Sequence, residues 1–150
     1  MPTDTATAPT VKSLIEAELP SLIALRRDLH QHPELCFEER RTSGVVQREL
    51  AALGIDCKAG LGGGTGVIGY LPANDPRGKG KGAIALRGDM DALPIVEQTG
   101  KAYASQTKGV MHACGHDGHT TILIGAARVL SKMARPRPVT FIFQPAEEGG

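Results

Sequence analysis

The chain has 150 residues, 41% of them hydrophobic and 22% charged, with a formal net charge of +1. That balance belongs to a globular chain rather than a disordered one, and the length suits one domain. Near-neutrality argues against a nucleic-acid or anionic-membrane partner, and with no Trp and 3% aromatics there is no stacking platform for bases.

Residues 1–10 are small and polar, with no basic segment followed by an apolar core. They are expected to be a disordered leader rather than a signal peptide. Residues 11–150 are expected to form the folded part. A helical pattern runs from Val11 to Glu18, and Pro20 suits the first turn of a second helix carrying Leu22, Leu25 and Leu29. Pro33 should end that helix. A third helix is expected from about Glu38 to Leu53, stopped by Gly54, with Val45, Val46, Leu50 and Leu53 as its buried stripe. The glycine-rich stretch from Gly60 to Gly66 lacks the Lys-Ser/Thr of a phosphate loop and reads as a turn into a strand over Val67–Leu71. Ala83–Leu86 predicts a short buried strand, Thr120–Met133 a helix, and Val139–Phe143 another buried strand. Strands alternating with helices predict an α/β sandwich, helices packed on the sheet. No apolar run approaches the ~20 residues of a membrane span. Three cysteines without framework spacing fit a reducing, cytoplasmic compartment.

In α/β folds functional groups gather beyond the carboxyl ends of strands. Three polar clusters fall at such places. The first runs from Met111 to His119 and packs His112, Cys114, His116, Asp117 and His119 into nine residues. Thiolate and neutral imidazole are good ligands for zinc and similar ions, and one residue between Cys114 and His116 lets both face one ion. Asp117 either holds His116 or caps the helix that follows. His112 and His119 are ligands, substrate contacts or polar neighbours. The second cluster is Glu147-Glu148, just after Pro145. One Glu would bind metal and the other act as general base on a water. The third is Asp89-Met90-Asp91, where one carboxylate orients a ligand or a water, or both cap a turn. His30 and His32 lie at a helix end before Pro33, and a structural or substrate-cleft role is favoured over metal binding. Cys36 and Cys57 read as buried thiols without chemistry.

In order along the chain, these stretches resemble the amidohydrolase branch of the aminoacylase/carboxypeptidase-type zinc metallopeptidases, the branch of hippurate hydrolases and N-acyl amino acid amidohydrolases. The matching segments are Arg27–Glu34, Leu86–Ile95, Met111–His119 and Phe143–Gly150. The resemblance implies that Cys114, His116 and Glu148 bind metal, that Glu147 is the general base, and that Asp91 orients the metal-site residues, with Asp89 less defined. It implies two divalent ions (zinc or manganese; cobalt or nickel in some members) and hydrolysis of the amide of a small N-acyl amino acid. Members run to roughly 400 residues, well past one ordinary domain. They add two further His ligands and a smaller α/β lid that makes dimers or tetramers. The chain is therefore expected to be an N-terminal part of a zinc-exopeptidase-like α/β/α catalytic domain without its lid. Alone it is expected to bind metal incompletely, to hydrolyse little and to leave a raw sheet edge. Two other readings stand: a dipeptidase or carboxypeptidase of the same fold, and an inactive zinc-binding scaffold. A closed structural zinc site needs four protein ligands and no base.

Overall fold

The computed structural model describes residues 9–149. Most of the expected leader lies outside the described residues. Its last member, Thr10, caps the first helix by accepting the Ser13 amide at 3.1 Å. Helix α1 spans Val11–Gln31, α2 Arg40–Ala52 and α3 His116–Ser131. Strands are β1 Asp56–Leu61, β2 Gly66–Leu71, β3 Ile84–Asp89 and β4 Val139–Gln144.

The two helices expected before Pro33 are one, with Pro20 inside it. Proline removes only the bond to the Glu16 carbonyl. Glu16 and Pro20 are both exposed, so water satisfies that carbonyl. The packed face of α1 carries the helix across the gap. Leu22 lies so close to Gly125 of α3 that a Cβ there would sit 2.9 Å from Leu22 Cδ1. Glycine at 125 is what lets the two helices approach.

The sheet order is β1-β2-β4-β3. β1, β2 and β4 pair antiparallel, and β3 runs parallel to β4. β1 has no counterpart among the elements read from sequence. Its side chains are mostly exposed, so no apolar alternation marks it. The turn expected in the Gly60–Gly66 stretch is present as residues 62–65, which join β1 to β2 in a hairpin that was not expected, with positive φ at Gly62, Gly63 and Gly64. β3 is an edge strand, not a buried one, and Ile84 is 39% exposed.

The core lies on one face of the sheet. Val139, Phe141 and Phe143 of β4 and Val67 and Leu71 of β2 point inward. They meet Val46 and Leu50 of α2 and Leu123, Ile124 and Ala127 of α3 in one cluster. α1 packs outside α3. Of the expected α/β/α sandwich, the described residues form an α/β domain with helices on one face. The other face presents Ile68 and Tyr70 without a covering helix among the described residues. No helix among the described residues is long and apolar enough to cross a membrane. The outer side of α1 and α3 holds a groove of about 580 Å³ lined by Ile15, Leu19, Leu22, Ile122, Ala126 and Leu130.

Two substitutions separate core from face. Phe141→Ala should cost ~3–5 kcal/mol in urea unfolding, because Phe141 is fully buried. Ile122→Lys should change stability by less than ~0.5 kcal/mol, since Ile122 is 71% exposed. The same change should lower concentration-dependent association in light scattering if the apolar face drives it.

Candidate metal centre

Parallel pairing of β3 with β4 sets Asp89 opposite Gln144. The two strands therefore release their following loops side by side. The β3 loop returns through a bridge between Leu93 and Met111 and delivers Cys114 and His116 to the start of α3. Gly115 takes φ 102°, a left-handed value that suits glycine, and turns the chain from the loop into the helix. After β4, Ala146 takes φ 53° and leads into Glu147 and Glu148.

Asp91 joins these pieces. It is 1% exposed. Its Oδ2 accepts the Glu148 amide at 2.8 Å and the Cys36 thiol at 3.2 Å. Its Oδ1 lies 3.1 Å from His116 Nδ1, and its backbone carbonyl 2.9 Å from the same atom. Facing only acceptors, Nδ1 carries the proton and donates. That leaves the Nε2 lone pair for an ion. Burial works to raise the Asp91 carboxyl, but hydrogen bonds from the Glu148 amide, the Cys36 thiol and the Glu147 amide outweigh it and hold it below the usual range.

His116 Nε2 is 3.8 Å from Glu148 Oε1, 3.8 Å from Glu147 Oε2 and 3.6 Å from Asp89 Oδ1. These spacings are too long for hydrogen bonds. They suit donors around one ion: ligands ~2.1 Å from a tetrahedral zinc sit about 3.4 Å from one another. Cys114, His116 and Glu148 bring one donor atom each within 4.8 Å. Glu148 Oε1 is buried with no hydrogen-bond partner. A buried carboxylate oxygen facing a lone pair and a sulfur is costly unless a cation joins them. Soft, borderline and hard donors together fit zinc and related divalent ions. The Glu148 carboxylate, with burial second, pushes the Cys114 thiol up.

A second cluster shares His116 and adds Asp89 and His119. Here Asp89 Oδ1 accepts a hydrogen bond from His119 Nδ1 at 2.6 Å, and Asp89 Oδ2 pairs with Arg87 at 3.0 Å. Asp89 is already satisfied, so this cluster fits an ion less well than the first. Asp89 is the last residue of β3 rather than part of a following turn.

The other sequence candidates are placed as follows. Asp117 does not hold His116. Its Oδ2 accepts from His30 Nδ1 and Arg26 Nε, each at 2.8 Å, and its Oδ1 accepts the Gly118 amide. His30 is buried between Asp117 and Glu97, a structural position. His32 Nδ1 donates to the Asp28 carbonyl, apart from both clusters. His112 is buried with neither ring nitrogen bonded, and burial pushes it down to about 4. Cys57 is exposed rather than buried. Cys36 is half-buried and bonded to Asp91, so its reading as an inert thiol missed a contact that no local pattern announces. Burial, followed by the hydrogen bond to Asp91, pushes Cys36 up to about 11.

A sheet that gathers thiol, imidazole and carboxylate donors at its carboxyl end defines a metal-binding α/β domain. Residues 85–150 match the family model described as Peptidase family M20/M25/M40. It is 50% identical over 133 residues to a Rhodococcus jostii protein named for glutamate–cysteine ligase 2-3, covering 89% of this chain and 16% of that one. It is 45% identical over 130 residues to the Arabidopsis thaliana IAA-amino acid hydrolase ILR1-like 2, covering 85% of this chain and 28% of that one. The crystal structure of the Bacillus subtilis YXEP protein, described as a dinuclear metal binding peptidase from the M20 family, superposes with a TM-score of 0.81 at 44% identity. That match covers 89% of this chain and 37% of that one. The chain thus spans 16–35% of the length of the curated relatives it matches.

Two measurements check this geometry. Asp91→Ala should weaken cobalt or zinc affinity roughly 10–100-fold, the usual effect of losing a group that orients ligands; calorimetric titration reads it. At pH 8, iodoacetamide should label exposed Cys57 well ahead of Cys36, whose thiolate fraction is only ~0.1% with its pKa at about 11. Peptide mapping that finds Cys36 labelled first would contradict the arrangement around Asp91.

Proposed function

We propose that the chain carries the metal-binding and base-bearing part of a divalent-metal amidohydrolase that cleaves N-acyl amino acids. The observation that carries the reading is the convergence of Cys114, His116 and Glu148 on one point, with Glu148 Oε1 unsatisfied and the free carboxylate of Glu147 alongside. A structural zinc site has no use for such a carboxylate. Cys114, His116 and Glu148 hold one ion, and Asp89 with His119 offers donors beside it for a second. Zinc fits the donor set best, with manganese, cobalt and nickel as alternatives. When bound, the ions polarise the amide carbonyl and acidify the attacking water.

The side chains do the rest. Asp91 keeps His116 in the tautomer that leaves Nε2 open. Glu147, with its side chain 42% exposed, is accessible to water and substrate. It takes a proton from the attacking water and returns it to the leaving amine, so the products are a carboxylate and a free amino acid. The resemblance of the four motifs and the likeness to an amino acid conjugate hydrolase favour an N-acyl substrate such as a benzoyl or acetyl amino acid. The description of the Bacillus relative as a peptidase makes a dipeptide the rival substrate.

Glu147→Gln should leave metal content unchanged and lower the rate of amino acid release by roughly 10²–10⁴-fold. Elemental analysis together with an amine-release assay on N-acetyl and N-benzoyl amino acids checks both halves. Faster release from dipeptides than from acylated amino acids would favour the peptidase. Unchanged release in Glu147→Gln would remove Glu147 from the base role.

A further inference from the structure

Glu39 is fully buried, and among the described residues no Lys, Arg or His pairs with it. A buried carboxylate is costly unless its oxygens are bonded. It precedes α2, yet its side chain does not cap that helix. The first amides of α2 are instead taken by Glu34, which accepts from Arg41 and Thr42 at 2.8 Å each. Glu39 is turned elsewhere. Its Oε2 accepts the Thr65 hydroxyl at 2.6 Å, and its Oε1 accepts the Ala146 amide at 2.9 Å. The positive end of α2 lies beside the charge and favours it.

Ala146 sits at φ 53°, a left-handed value that an L-residue with a side chain rarely takes. It is the residue directly before Glu147 and Glu148. With the chain reversed there, the Glu148 amide meets Asp91 Oδ2 and both Glu carboxylates come within 3.8 Å of His116 Nε2. Pro145, on the other side of Ala146, rests against the β1–β2 turn, where a Cβ on Gly62 or Gly66 would stand 3.2 Å from its ring.

We propose that Glu39 is a positioning residue for the Glu147–Glu148 pair: its buried carboxylate pins the Ala146 amide and so holds the turn that aims both acidic side chains at His116. The functional sense of the inference rests on the metal-hydrolase reading, but its geometry is testable without metal. The glutamine variant keeps a carbonyl oxygen for Ala146 and turns an amide group toward the Thr65 oxygen. Methionine fills similar space and accepts nothing.

The experiment is amide hydrogen exchange by NMR on the metal-free chain, followed by cobalt titration. In Glu39→Met, protection of the Glu148 amide should fall by ~tenfold or more while that of Phe141 in β4 stays within ~twofold. In Glu39→Gln both should stay near wild type. The Glu39→Met, Thr65→Val double variant, which leaves no orphan hydroxyl, carries the same comparison if the single variant folds poorly. Uniform loss at Glu148 and Phe141 would mean that Glu39 only supports the fold, and full protection at Glu148 would mean that it does not hold the turn. Either result overturns the inference. Cobalt affinity should fall ~tenfold in Glu39→Met and be kept in Glu39→Gln. A wild-type chain that binds no cobalt would overturn the metal reading and leave the exchange result to decide the role of Glu39.

Discussion

The carboxylate of Asp91 ties together parts of the chain that have no other reason to meet. It accepts from the first residue of α3, from the loop after β4 and from the thiol of Cys36. These are three separate stretches of sequence, and each carries a group that the site needs. Three donors on a fully buried carboxylate also fix its charge state, because each favours the ionised form. Breaking a buried charged network of this kind typically costs ~3–5 kcal/mol, so the arrangement is held as well as aimed.

A second ring of charge lies behind the first. Asp117, next to His116, is gripped by His30 and Arg26 of α1, and His30 reaches on to Glu97. The N-terminus of α3 is thereby bolted to α1, the helix that otherwise touches α3 through Leu22 against Gly125. The metal loop is thus braced from three directions: Asp91 on the sheet side, Asp117 on the helix side and Glu39 beneath the acidic turn. Precise donor placement in a loop depends on bracing of this kind, because loop backbone has few hydrogen bonds of its own to resist movement.

The outer surfaces carry a different message. The apolar groove between α1 and α3 and the open side of β3 are contiguous through Ile122, which lines both neighbouring hollows. Burial at ~25 cal/mol per Å² makes such a surface costly to leave in water. The β3 edge of this mixed sheet also presents unpaired backbone groups.

Much of this was legible in the chain before folding was considered. The positions of α2, β2 and β4, the turn glycines and the Cys/His and Glu/Glu clusters all follow from local pattern, because periodicity, turn chemistry and ligand spacing are short-range properties. Pro20 misled, since helix continuity was decided by the packing of α1 on α3. β1 gave no signal, since an exposed edge strand needs no apolar alternation. Of the two readings of Asp117, the contact with His116 is absent because its neighbour in sequence is not its hydrogen-bond partner in space, where His30 and Arg26 take its carboxylate. Cys36 and Glu39 carried no mark at all. Their roles depend on contacts 55 and 107 residues away, with Asp91 and Ala146. The sequence by itself determined which atoms are able to bind an ion. Only the tertiary structure decided which of them point at the same place, because that depends on the β3–β4 register and on buried hydrogen bonds between segments far apart in the chain.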